Sequence, residues 1–162
     1  MIQFWDLVDL FGVILVAAPM TNTLVDFWSM IWDNKVRVLI MLTGLEENGR
    51  KKCEQYWPSL EDGKTRYGPY SVTIVSEQTT AFYVLRNFAV TFEGATGMST
   101  VASLFGAEPK KETWSVVQYM YLDWPDHGRP DTTVPLLRFV MKSSQSFEEE
   151  NTGKLRYTQI IN

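Results

Sequence analysis

Few side chains in this 162-residue chain are placed to do chemistry, and Asp126 is the foremost of them. It lies in Trp124-Pro125-Asp126-His127-Gly128-Arg129-Pro130, a stretch with too many breakers to be regular structure. A carboxyl on such a loop can cap its own turn. It can also serve as a general acid that protonates a leaving group as the loop closes. Cys53 is the one cysteine. To act as a nucleophile it would need backbone amides or a cation to lower its pKa. Lys51 and Lys52 precede it, but Glu54-Gln55-Tyr56-Trp57-Pro58 follows, bulky and free of glycine. Such a segment cannot form an anion-cradling nest, and the simpler reading is a buried structural thiol. His127 is the one histidine and has no Cys, Ser or second His beside it, so no catalytic pair is expected. One His and one Cys do not make a zinc site of the usual composition, and no metal or cofactor is expected.

These residues need a scaffold, and the composition supplies one. Apolar residues make up 45% and charged residues 21%, a globular balance that argues against disorder. A net charge of −4 speaks against a nucleic-acid partner. A lone cysteine and the lack of any Asn-x-Ser/Thr site fit a reducing compartment, so a cytoplasmic protein is expected. The longest apolar run, Leu10 to Met20, is shorter than the roughly 20 residues a bilayer demands. Asp6 and Asp9 precede it in place of Lys or Arg, so it reads as a buried strand rather than a signal-peptide core.

Along the chain, Leu24, Phe27, Trp28, Ile31 and Trp32 recur at helical spacing behind cap candidates Thr21 to Thr23, which predicts a helix over 23–33. Val36 to Leu42 reads as a buried strand, and Gly44 to Lys52 as a polar loop. Strands are expected over Tyr70 to Val75, Phe82 to Phe92 and Trp114 to Leu122, with a surface loop from Gly94 to Pro109. Pro135 suits a first helical turn, and Leu136, Leu137, Val140 and Met141 give that helix its apolar residues. From Ser143 the chain turns polar. Helices mixed with strands around one core define an α/β or α+β class.

Several blocks, in order, resemble the catalytic domain of the classical protein tyrosine phosphatases. They are Asn22 to Trp32, Val38 to Thr43, Lys52-Cys53-Glu54-Gln55-Tyr56-Trp57-Pro58, Tyr67-Gly68, Ser76-Glu77, Tyr83 to Phe88, Trp124-Pro125-Asp126-His127-Gly128 and Leu136 to Val140. The resemblance implies an α/β fold, with a mixed, highly twisted sheet flanked by helices. It divides the chain into a divergent segment 1–18, a partial phosphatase domain 19–142 and a divergent polar tail 143–162. It implies phosphotyrosine hydrolysis in two steps. A Cys thiolate in a loop of amides attacks phosphorus, an Arg of that loop grips the equatorial oxygens, and a loop carboxylic acid protonates the leaving phenolate. By this resemblance Asp126 is the general acid. Trp124 is the loop's anchor, and Pro125, His127 and Gly128 belong to the same loop. Glu47 matches the carboxylate that holds the gripping Arg, and Lys52 a residue that approaches the closed loop; an exposed loop charge is the alternative for both.

The departures set the expected activity. The family's nucleophile sits on a His-Cys-x5-Arg segment some thirty to forty residues after the loop acid, and residues 148–162 contain neither Cys nor His. The position six after Cys53 is Ser59 rather than Arg. The chain is therefore expected to lack a nucleophile and to be inactive alone, as an incomplete copy of the domain. Its partners would be phosphotyrosine proteins if a complete domain exists, and other, unidentified proteins if it acts as a non-catalytic pseudophosphatase. The parent could be cytoplasmic or the inner part of a membrane receptor, with no membrane span in this chain. The sheet is expected to lack the strand that completes its centre, with apolar faces left uncovered.

Overall fold

The computed structural model describes residues 13–47, 49–93, 112–122, 133–149 and 156–161, with side chains described at 16–46, 49–93, 112–122 and 133–143. Strand β1 (Val13–Ala17) leads through a 3-10 turn (Thr21–Thr23) into helix α1 (Leu24–Asp33). Then come β2 (Val36–Met41), a small hairpin of β3 (Glu46–Glu47) and β4 (Arg50–Lys51), and β5 (Lys64–Tyr67). Three long strands follow, β6 (Tyr70–Thr79), β7 (Tyr83–Phe92) and β8 (Thr113–Tyr121). Helix α2 (Thr133–Glu149) and strand β9 (Arg156–Ile161) complete the order.

Seven strands form one mixed sheet in the order β1-β9-β2-β8-β7-β6-β5. The first four are mutually parallel, and β8 onward is an antiparallel meander. Parallel strands are stable when both faces are covered, and β2 is sequenced for that, apolar at all but one position. Leu39 and Met41 face the α1 side, where they join Phe27, Trp28 and Ile31. Val38 and Ile40 turn to the other face and meet Tyr119, Tyr121 and Phe139 of α2. Val36 breaks this alternation and joins the α1 side, because the pairing with β9 slips between Val36 and Val38.

The helix α1 buries Phe27, Trp28, Ile31 and Trp32 of the stripe its spacing predicts and adds Met30, while Leu24 is half-buried. Its entry differs from expectation. Residues 21–23 form a 3-10 turn, and the Thr23 hydroxyl accepts from Met20 N–H at 2.9 Å instead of capping forward. Pro135 and Phe139 are buried under α2, and Pro135 is its third residue.

Two expectations need correction. The polar loop Gly44 to Lys52 contains the β3–β4 hairpin, turned by Gly49 at φ +71°. The sheet also has a strand between β1 and β2 where a gap was expected. β9 lies between β1 and β2 and pairs with both in parallel, Val16↔Ile160 on one side and Met41↔Ile160 on the other. The chain becomes polar after Ser143, yet Arg-Tyr-Thr-Gln-Ile-Ile carries enough β-branched and aromatic character to form a strand when two neighbours offer ladders. Backbone groups of β1 and β2 that a missing strand would leave unpaired thereby find partners. The loop expected over Gly94 to Pro109 lies outside the described residues.

Candidate active site

The parallel strands decide where a site can form. β1, β9, β2 and β8 all run the same way, so their carboxyl ends share one edge. Ala17 stands opposite Ile161, Ile160 opposite Met41, and Met41 opposite Met120. In open α/β sheets ligands bind outside that edge. The described residues that leave it are Ala18-Pro19, Leu42 to Leu45 and, from β8, Leu122. Leu122 is pinned by its N–H to Phe82 O at 2.9 Å.

The hairpin β3–β4 stands at this edge and carries Glu47 and, one residue beyond it, Lys52. Glu47 pairs with Arg50 and Glu46 with Lys51, so residues 47 and 52 belong to one short ribbon. Lys52 is half-buried, and its N–H donates to Leu45 O at 2.9 Å. Cys53 N–H donates to the same oxygen at 3.2 Å, and Glu54 N–H reaches Pro19 O at 2.8 Å. Residues 52–54 are thus tied to the exits of both β1 and β2. The Glu54 carboxylate secures the knot, taking Lys51 Nζ at 2.6 Å and the Thr21 hydroxyl at 2.7 Å. The Lys51 hydrogen bond first, and that of Thr21 second, hold this carboxyl below its ordinary pKa.

Cys53 is fully buried among the aromatic residues of the α1 side. Its Sγ donates to Glu54 O at 3.2 Å. Burial, helped by the Glu54 charge and opposed by Lys51, pushes the thiol up to about 12. At neutral pH roughly one molecule in 10⁵ would carry the thiolate. This is the inert structural cysteine that its neighbours in sequence imply.

Trp124, Pro125, Asp126, His127 and Gly128 lie outside the described residues, as does the side chain of Glu47. The described structure therefore brings Glu47 and Lys52 onto one hairpin by backbone and shows the two elements, β8 and α2, between which Asp126 must lie. Among the described residues no group of three or more His, Cys, Asp or Glu could hold a metal ion. No helix among them is long and apolar enough to cross a membrane.

Sequence reading missed a buried polar chain beneath this edge. Gln118 of β8, fully buried, donates to Tyr56 OH at 2.5 Å and accepts from Arg86 at 3.1 Å. Arg86 of β7 pairs with Glu77 of β6 at 2.5 Å and lies over the Trp57 ring at 4.7 Å. Trp28 Nε1 donates to Tyr56 O at 2.9 Å. The chain fixes the 56–57 segment to β8 three residues before that strand ends. The one signal available was a glutamine and an arginine, each next to an apolar residue within its strand.

Known proteins resemble the chain over most of its length. The profile of the family described as protein-tyrosine phosphatase matches residues 9–155. The chain is 40% identical over 126 residues to human receptor-type tyrosine-protein phosphatase zeta, covering 78% of this chain and 5% of that protein. It is 36% identical over 129 residues to tyrosine-protein phosphatase 99A of Drosophila melanogaster, covering 78% of this chain and 9% of that one. It is 33% identical over 137 residues to human tyrosine-protein phosphatase non-receptor type 9, covering 83% and 21%. The chain thus spans between 5% and 21% of the length of these relatives.

Proposed function

The chain belongs to the protein-tyrosine phosphatase family, and from that membership we infer that it carries the acid-loop half of a phosphotyrosine-hydrolysing site, without a nucleophile of its own. Residues 19–142 hold the ordered blocks of the catalytic domain. Asp126 is the general acid that protonates the leaving phenolate, a role worth about 10²- to 10⁴-fold where a nucleophile is present. Trp124, Pro125, His127 and Gly128 form the loop that carries it, and Glu47 and Lys52 support the site from the hairpin. Phosphotyrosine proteins are the substrate class of the complete domain, and the cytoplasm is its compartment.

The observation that carries the inference is Cys53. It is the one thiol among the 162 residues, it is fully buried, and burial holds it protonated. A general acid has nothing to assist without a thiolate attacking phosphorus. The 162-residue polypeptide on its own therefore performs no turnover. The alternative, a non-catalytic pseudophosphatase that holds partners by its surface, is supported by the same buried thiol. The test is hydrolysis of p-nitrophenyl phosphate by the purified chain, beside Cys53→Ser. No release above blank is expected from either. Turnover that disappears in Cys53→Ser would overturn the inference.

A further inference from the structure

Strand β9 ends at the place where the crossovers of the sheet put a binding crevice. The chain leaves β1 for α1 on one face of the sheet and leaves β8 for α2 on the other. Crossovers to opposite faces open a crevice at the carboxyl edge between the two strands, where open α/β sheets bind their ligands. Two strands lie between β1 and β8, namely β9 and β2. β2 runs on into the hairpin that carries Glu47 and Lys52. The carboxyl end of β9 is therefore the floor of the crevice, with Ile161 opposite Ala17 and Ile160 opposite Met41. The ties of Lys52 and Cys53 to Leu45 O, and of Glu54 to Pro19 O, join the exits of the strands on either side of it.

The sequence of β9 does not belong with this position. Its residues lie 30 to 35 after Asp126, inside the interval at which the family resemblance sets the nucleophile's segment. Yet the family profile stops matching at residue 155, one residue short of β9. β1 and β2 both lie within the matched span, and in the sheet they are not neighbours. The seat between them thus belongs to the family's sheet, while the segment that fills it here falls outside the match. Arg-Tyr-Thr-Gln-Ile-Ile brings no thiol to the crevice.

On the phosphatase reading given above, we propose that residues 156–161 are a blocking strand. They fill the seat from which a nucleophile's loop would rise, so the chain refuses a strand bearing His-Cys-x5-Arg supplied by a second polypeptide. Neighbouring strands stand about 4.8 Å apart, and one seat holds one strand. An incoming strand must first part β9 from its ladders with both β1 and β2. Backbone groups of three strands lose their partners until the exchange is complete, which opposes it.

The test adds to the full chain a fragment of a relative's catalytic domain that begins at the strand leading into His-Cys-x5-Arg, and follows hydrolysis of p-nitrophenyl phosphate. The unaltered chain is expected to add nothing to the rate of the fragment alone. Thr158→Pro, which unseats β9, is expected to raise that rate at least about tenfold, and Asp126→Asn in the same background to remove the gain. Thr158→Gly combined with Ile160→Gly weakens the strand while keeping every ladder donor, and should give a smaller gain. Circular dichroism checks that each variant stays folded. An equal gain from the unaltered chain and the variants overturns the proposal, because the seat is then not blocked. No gain from any of them overturns it as well, because the seat then takes no such strand. Turnover by the chain before the fragment is added overturns the reading on which the proposal rests, and the proposal with it.

Discussion

At Cys53 a single thiol reports how the core treats charge. Its folded pKa of about 12 stands above the 9.0 of the free group. Above pH 9 the unfolded chain gives up this proton while the folded chain keeps it. Stability therefore falls as pH rises from 9 towards 12, and is unaffected by this group below pH 9. The slope has an upper bound of about 1.4 kcal/mol per pH unit, and buried tyrosines add their own. Urea titrations at pH 7.5, 9 and 10 should show the decline, and Cys53→Ala should flatten it while lowering stability at every pH. The same burial predicts that native Cys53 resists alkylation until the chain unfolds.

Arg86 is the second residue on which much depends. Its side chain is 11% exposed, and its guanidinium is shared between Glu77, Gln118 and the Trp57 ring. Removing one partner of a buried pair leaves the other charge uncompensated, so Arg86→Ala should cost about 3 kcal/mol in urea denaturation. Adding Glu77→Ala to that variant should recover part of the loss, because the stranded carboxylate goes too. A combined loss equal to the sum of the two single losses would show that the pair does not act as a unit.

Among the elements, the turn between β5 and β6 has the least room to change. Gly68 has φ +57°, and a Cβ there would lie 2.8 Å from Val25 Cγ1 on α1. Both the backbone and the neighbour exclude a side chain, and Gly68→Ala should destabilise by about 2 kcal/mol. Pairing with Val25→Ala should relieve the steric part and leave the backbone strain, which a melting series would separate. This turn was legible in the sequence, since Gly68-Pro69 punctuates a β-rich run. So were α1, β2, β6, β7 and β8, whose periodicity or β-branched content is strong enough to survive any packing. The β3–β4 hairpin was overlooked because its strands are two residues long, although Asn48-Gly49 is a hairpin signal in its own right. β9 could not be read locally at all. Its six residues become a strand because β1 and β2 offer ladders on both sides, which is information carried by the fold and not by the segment. The candidate site was legible only through the loop acid and its family resemblance, while the polar chain through Gln118 emerges only when three strands are brought together.

For the molecule as a whole, the sheet has two parts of unequal security, β1-β9-β2 and β8-β7-β6-β5. The antiparallel meander from β5 to β8 is held by long ladders between strands close in sequence, and by the Glu77–Arg86–Gln118 chain across it. β1 has no described strand partner other than β9, and β9 joins it to β2. Parallel pairing over such sequence distances adds the entropy of closing long loops. The half that carries the carboxyl edge of the site is therefore the half expected to open first. Thr158→Pro tests this, because Thr158 stands opposite Ile14 on one side and Leu39 on the other, and proline removes a ladder donor and cannot sit inside a central strand. Amide hydrogen exchange should show protection falling at residues 13–17 and 36–41 while β6 and β7 keep theirs. Loss of protection across all the strands together would mean that the sheet is one cooperative unit that β9 helps to hold. Unchanged protection at 13–17 would mean that β1 is held by something other than β9, and the division of the molecule drawn from its strand order would fall.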